Sequence, residues 1–216
     1  MNTKAVLFDL DGTLADTALD LGGALNRLLK RKGLPEKDMA DIRPVASHGA
    51  NGLILLGAGI DKDHADHAHW RVDFLAEYEN GFANETVLFE GVNALLAELD
   101  RRGVVWGIIT NKPHIFTHRL VPQLGFVCPP AVVVSGDTTA EAKPSTKPML
   151  YACEKIGIEP QHCVYVGDAE RDMQAGKDAG MRTVLANWGY IAASDNVAQW
   201  PADAAIDKPQ DLLKLL

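Results

Sequence analysis

The stretch Ala5-Val6-Leu7-Phe8-Asp9-Leu10-Asp11-Gly12-Thr13 decides how the rest of the chain is read. Its apolar half has the length and composition of a strand buried on both faces, and it ends in two carboxylates and a glycine that lets the chain turn sharply. Two acids two residues apart repel each other unless a cation sits with them, which marks the C-terminal end of this strand as a place for chemistry. In phosphoryl transfer the pair divides the work. Asp9 would be the nucleophile that forms an aspartyl-phosphate, and Asp11 the general acid for the leaving alcohol and then the general base for water. An isolated Asp-x-Asp is equally well explained by solvated acids at a turn; the apolar strand before it and the Gly-Thr after it set this one apart.

Outward from that strand, Leu21, Leu25, Leu28 and Leu29 share one helical face, with Lys30 to Lys32 in the last turn and Gly33 as a stop. Residues 34 to about 85 show no convincing strand. They are rich in Ala, Leu, His and acidic residues, broken by a flexible stretch at 47–52, and read as a small helical insert. Val92, Leu95, Leu96 and Leu99 then recur at helical spacing, Gly103 ends that helix, and Val104 to Ile109 form a second apolar strand. The alternation continues: a helix after Pro113, a strand at Val132 to Ser135, a helix over Lys147 to Ile156, a strand at Cys163 to Val166, and a helix over Arg171 to Ala179. Short apolar runs follow at Thr183 to Ala186 and Ala204 to Ile206. Such alternation implies an α/β fold, a doubly wound parallel sheet whose right-handed crossovers align the strand C-termini along one ligand-binding edge. The expected organisation is a core of residues 1–16 and 86–216 with a helical cap, residues 17–85, inserted after the first strand.

Three further motifs fall at the other strand ends. Thr110-Asn111-Lys112-Pro113 offers a hydroxyl and amides at the start of a helix, a geometry that suits phosphate, although a threonine there is commonly a cap or loop residue. Lys143, shortly after the third strand, is placed to bridge a phosphate and the Asp9 carboxylate; Lys147, in a second Lys-Pro pair, competes for that role. Gly167-Asp168-Ala169-Glu170-Arg171-Asp172 puts two acids four apart in a first helical turn, with Asp168 expected as a direct magnesium ligand and Asp172 as a supporting carboxylate behind it. Acids also favour helix N-termini for dipole reasons alone. In the insert, Arg43-Pro44-Val45-Ala46-Ser47-His48-Gly49 supplies a cation, a hydroxyl, an imidazole and a flexible glycine. Arg43 is the expected partner of a substrate carboxylate, with a surface salt bridge within the cap as the equal alternative, and Ser47, His48 and Gly49 are further substrate-binding candidates.

Composition narrows the alternatives. The 216 residues carry a formal charge of -8 with no Lys/Arg cluster, which disfavours a nucleic-acid partner. No stretch approaches a membrane span or a signal-peptide core, so a cytoplasmic location is expected. Cys128, Cys153 and Cys163 lack the spacing of a zinc or redox motif and read as reduced core residues. His64, His67 and His69 lack a completing carboxylate or cysteine, and a solvated helix face explains them.

Taken together, the four motifs resemble the haloacid dehalogenase superfamily from Asp9 to the C-terminus, cap included. The resemblance implies a magnesium-dependent phosphatase acting on a small phosphorylated metabolite. It implies Asp9 as nucleophile, Asp11 as acid/base, and the metal held by Asp9, the backbone carbonyl of Asp11, and Asp168. Thr110, Asn111 and Lys143 match its phosphate-binding positions. Thr146 departs from the pattern, standing where relatives often carry a second proline. Dehalogenases of the superfamily lack an acid two residues after the nucleophile, so Asp11 favours phosphoryl transfer. The chain is most similar to the phosphoglycolate phosphatase group. Within it, Trp106 to Pro113, Leu88 to Gly91, and Gly189-Tyr190-Ile191 with Asp195-Asn196 and Trp200 resemble the N-acetylmuramic acid 6-phosphate phosphatases of peptidoglycan recycling. A phosphosugar mutase shares all four motifs but must shield its aspartyl-phosphate from water. A non-catalytic binding protein on this fold would have no need of Asp9, Asp11, Lys143 and Asp168 together.

Overall fold

A computed structural model describes residues 3–216. The chain runs β1 (Ala5–Phe8), β2 (Ala15–Asp16), α1 (Ala18–Arg31), α2 (Met39–Ile42), α3 (Gly49–Ala58), α4 (His67–Glu79), β3 (Val87–Leu88), α5 (Val92–Arg101), β4 (Val105–Ile109), α6 (His114–Leu120), β5 (Val133–Val134), α7 (Lys147–Ile156), β6 (Cys163–Gly167), α8 (Glu170–Asp178), β7 (Arg182–Ala186) and β8 (Ala204–Ile206). Six strands form one sheet in the order β5-β4-β1-β6-β7-β8, with every pairing parallel. After β1 the chain builds outward through β4 and β5, then crosses back to build through β6, β7 and β8. The order therefore reverses at β1, and the crevice at such a switch point is where a parallel sheet binds ligands.

β1 is paired on both sides and covered on both faces, which is why it shows no apolar–polar alternation. Its side chains still alternate in direction. Val6 and Phe8 pack with Leu95, Leu96, Leu99 and Trp106, whereas Ala5 and Leu7 pack with Met149, Ala152, Cys153 and Tyr165 on the opposite face. Cys153 and Cys163 lie together in this second cluster, and all three cysteines are unbridged.

Helices α1 to α4 lie between β1 and β4 and share a further apolar cluster, which Phe116 and Tyr190 join from outside them. The leucine face of α1 packs against Ile42, Leu53, Ile54, Phe74 and Tyr78. Two features at its base lie outside the sequence expectations. β2 and β3, two residues each and too short to leave a pattern, pair antiparallel and tie the outgoing connection to the returning one. Asp20, buried in α1, accepts bonds from the Glu85 and Thr86 N–H groups, each at 3.0 Å, and from the Thr86 hydroxyl at 2.6 Å. Elsewhere boundaries shift by a residue or two: the third main-sheet strand shortens to β5, and α8 starts at Glu170. No described helix is long and apolar enough to cross a membrane.

Candidate active site

The sheet brings all four motifs to one place. Asp9 follows β1, and its N–H continues the ladder to Val166 O at 2.9 Å, so its buried carboxylate stands directly over the switch point. Lys143 enters from the loop after β5. Its Nζ, wholly buried, lies 2.9 Å from Asp9 Oδ1 and 2.7 Å from Asp172 Oδ1, and donates to Ile109 O and the Tyr165 hydroxyl at 2.8 and 2.7 Å. A buried ammonium is tolerable only with such neutralisation. Lys147, its competitor in the sequence, is an exposed residue paired with Glu141.

Asn111 lines the cavity and also has a positioning role. Its side-chain amide, predicted to contact phosphate, makes two bonds of 2.9 Å to the backbone of Lys143 and so positions that lysine. Thr110 is buried, and its hydroxyl accepts the Lys112 N–H at 3.1 Å, closing the turn after β4. The next helix begins only at His114, and the His114 N–H is taken by Asp137 at 2.8 Å.

Asp9, Asp168 and Asp172, all buried, each offer an oxygen within 4.8 Å of the others. Burial, reinforced by Asp172 and Asp168 and opposed by Lys143 and Arg171, pushes the Asp9 carboxyl up to about 7. Burial and Asp172 likewise raise Asp168. Three crowded carboxylates, with Asp9 and Asp168 driven toward protonation, form a hard-oxygen donor set that suits a small divalent cation. Asp168 is cradled for that position: it accepts from Thr13 Oγ1 at 3.2 Å, Tyr190 N at 2.8 Å and Ser47 Oγ at 2.6 Å. A Cβ at Gly12 or Gly189 would collide with it, and Gly12 also has φ +86°, so only glycine allows this approach. Asp172 stands farther back, facing Lys143 with one oxygen and accepting the Ala169 N–H at 3.1 Å with the other.

Asp11 has a separate environment. Thr17 Oγ1 donates to its Oδ1 at 2.7 Å, and Lys112 Nζ lies 2.9 Å from the same oxygen. Burial would raise this carboxyl, but Lys112 and Thr17 outweigh it and hold it below the usual range. The Lys112 ammonium also sits 4.8 Å from the Tyr78 ring centroid, in cation–π range. Neither Lys112 nor Arg171 is assigned a role from the sequence; for Arg171 its place between Glu170 and Asp172 is a local signal, whereas Lys112 has no acid beside it in sequence. Arg171 Nη2 lies 4.0 Å from Asp9 Oδ2 and donates to Ser47 O at 2.7 Å.

The insert closes over these groups around a cavity of about 580 Å³. Ser47, His48 and Gly49 line it, with Ser47 joined to Asp168 and Arg171 on the core side. Partial burial and the Arg171 charge lower the His48 imidazole. Arg43 does not line the cavity, contrary to its expected place against substrate. It forms a two-pronged pair with Asp16 at 3.0 and 2.9 Å, because its turn lies over the connection that carries Asp16. Tyr190 completes that latch: its hydroxyl donates to Asp16 Oδ1 at 2.8 Å and accepts the Thr17 and Ala18 N–H groups at 2.7 and 3.0 Å.

An acid pair at the end of the central strand, under a helical insert, is the arrangement of an α/β phosphohydrolase. A haloacid dehalogenase-like hydrolase family model matches residues 6–186, and the chain belongs to that family as one of its phosphatases. A phosphoglycolate phosphatase of Xanthomonas campestris is 42% identical over 209 residues, covering 97% of this chain and 94% of the relative. An N-acetylmuramic acid 6-phosphate phosphatase of Pseudomonas aeruginosa is 37% identical over 216 residues, covering 100% and 96%. Among solved structures, a predicted phosphoglycolate phosphatase of Haemophilus somnus superposes with a TM-score of 0.86 at 26% identity, covering 100% of this chain and 98% of that one.

Proposed function

We propose that this phosphatase hydrolyses N-acetylmuramic acid 6-phosphate, using magnesium and an aspartyl-phosphate on Asp9. The cavity carries the reading. Ser47 bonds to both Asp168 and Arg171, joining the insert to the core, and the cavity that Asp9 lines measures about 580 Å³. That space suits an amino-sugar phosphate and far exceeds the need of a two-carbon acid. The activity named for the Pseudomonas relative points the same way.

The chemistry follows from the residues. Asp9 Oδ attacks phosphorus while Lys143, 2.9 Å from that carboxylate, holds the nucleophile in place and meets the crowded phosphoryl oxygens. Thr110 and Arg171 stand around the same position. Asp9, the Asp11 carbonyl and Asp168 would hold magnesium with Asp172 behind them, and the bound ion supplies positive charge against the phosphoryl oxygens. Asp11 is anionic in the resting site because Lys112 faces it. An incoming phosphate dianion competes for that ammonium and adds negative charge nearby, which favours the protonated Asp11 needed to release the alcohol. Once the alcohol has left, Lys112 again stabilises the carboxylate that draws a proton from water.

Phosphate release measured with N-acetylmuramic acid 6-phosphate and 2-phosphoglycolate in the presence of magnesium tests the reading. The muramic ester should give the higher kcat/KM, and mass spectrometry of Asp11→Asn should show a trapped phosphate adduct. 2-Phosphoglycolate, the activity named for the Xanthomonas relative, is the competing substrate, and a higher kcat/KM for it would overturn the assignment.

A further inference from the structure

Arg71, Phe74, Leu75 and Tyr78 stand at i, i+3, i+4 and i+7 of α4, and all four line the cavity. The stripe begins at buried Tyr78, whose ring lies against Lys112 beside Asp11, and ends at exposed Arg71. Seven residues of helix separate the two, about 10 Å along the axis. Arg71 is thus the single charged member of an otherwise apolar-bodied stripe and stands at the end of the cavity away from the acids.

The other cations near the substrate space are engaged. Lys143 faces Asp9 and Asp172, Lys112 pairs with Asp11, Arg171 donates to Ser47 O, and Arg43 is clasped to Asp16. Arg71 makes no ion pair or hydrogen bond among the described residues. A guanidinium presented to a cavity with its fork free is suited to a planar carboxylate, which it binds through two parallel bonds.

We propose that Arg71 binds a carboxylate at the end of the substrate remote from phosphate and so determines specificity for phosphorylated sugar acids. This rests on the reading of Asp9 as the site of phosphate-ester hydrolysis. In 2-phosphoglycolate, carboxylate and phosphate are separated only by a methylene and an ester oxygen, a span shorter than the stripe from Tyr78 to Arg71. In N-acetylmuramic acid 6-phosphate the lactyl carboxylate and the phosphate lie on opposite sides of the sugar ring, a separation on the scale of the ~10 Å that the stripe runs from Tyr78 to Arg71. The apolar side chains between Arg71 and Tyr78 would flank the ring.

Kinetics of wild type, Arg71→Gln and Arg71→Lys on four esters test this: N-acetylmuramic acid 6-phosphate, N-acetylglucosamine 6-phosphate, 2-phosphoglycolate and p-nitrophenyl phosphate. N-acetylglucosamine 6-phosphate keeps the sugar and lacks the lactyl carboxylate. Arg71→Gln should lower kcat/KM for the muramic ester about 10–100-fold, mainly through KM, the scale of a lost charge-assisted contact. Its loss on the glucosamine ester should be at least about tenfold smaller, and Arg71→Lys should recover part of the difference. Equal losses on the two amino-sugar esters would overturn the proposal and make Arg71 a support for the insert, leaving the phosphatase reading intact. A loss on 2-phosphoglycolate as large as on the muramic ester would overturn the remote position of the carboxylate. Failure of the wild type itself to release phosphate from the muramic ester would defeat the underlying substrate reading, and with it this one.

Discussion

Asp11 is held anionic by Lys112, 2.9 Å away, and that contact makes the pH profile a readout of the acid–base step. Replacing Lys112 by Met removes the charge that lowers the Asp11 carboxyl, so its pKa should rise. The base form would then be lost at higher pH, and the acid limb of kcat should move upward in pH. An acid limb in the same place as in wild type would disconnect Lys112 from Asp11 chemistry. The two Lys-Pro lysines offer a second comparison at this scale. Lys143 is enclosed by Asp9, Asp172, Ile109 O and Tyr165, whereas Lys147 and Glu141 form an exposed pair of the kind that contributes about 0–1 kcal/mol. Lys143→Ala should lower kcat by about 10²–10³, and Lys147→Ala should stay near wild type. Phosphate-release assays on folded variants decide between them, and the opposite ranking would displace Lys143 from the site.

Among the elements, the connection between β1 and α1 positions the insert. The Tyr190 hydroxyl serves two buried N–H groups and Asp16 at once, while Arg43 braces the other side of that carboxylate. Tyr190→Phe leaves the Thr17 and Ala18 N–H groups without this partner, a loss of about 1–3 kcal/mol. In a domain of this size each kcal/mol shifts Tm by about 2–4 °C. A lower Tm is therefore expected, together with faster amide exchange at Thr17 and Ala18. Unchanged exchange there would show that the latch does not order the hinge. The Arg43 pair is partly exposed and contributes less, so Arg43→Ala should affect hydrolysis of carboxylated and uncharged esters to a similar extent.

At the level of the whole molecule, the buried acids make stability depend jointly on pH and on a divalent cation. The Asp9 carboxyl rises from 3.8 to about 7 on burial, so the folded state binds its proton more tightly than the unfolded state does. Stability from this group is fully present below about pH 4 and is lost as the pH rises through about 7. Asp168 shifts in the same direction. Chelated protein should therefore melt lower at about pH 8 than near pH 5. Magnesium should recover the difference mainly at the higher pH, where the acids are ionised. Saturation to a hundredfold over Kd corresponds to about 2.7 kcal/mol, or about 5–10 °C in Tm. Thermal melts at the two pH values with and without magnesium measure this, and a midpoint indifferent to the ion at pH 8 would remove the metal from the acidic cluster.

The sequence by itself determined the alternating parallel fold, the helical insert after the first strand, and the choice of Asp9, Asp11, Lys143 and Asp168 as residues to examine. Each of these rests on local signals: apolar runs that need two covered faces, helical periodicity, and polar groups at predicted strand ends. Only the tertiary structure decided which cation faces which acid. Lys112 and Lys143 come from different strand-end loops, and only the registers of β4 against β1 and of β5 against β4 send one ammonium to Asp11 and the other to Asp9. Likewise Asn111 holds the Lys143 loop, Arg43 turns to Asp16, and Arg71 lines the cavity with no partner among the described residues. Those outcomes depend on how separate loops and the insert pack on one another. Side-chain pairing across 27 residues for Arg43 and Asp16, or 101 for Lys112 and Asp11, leaves no trace in local pattern.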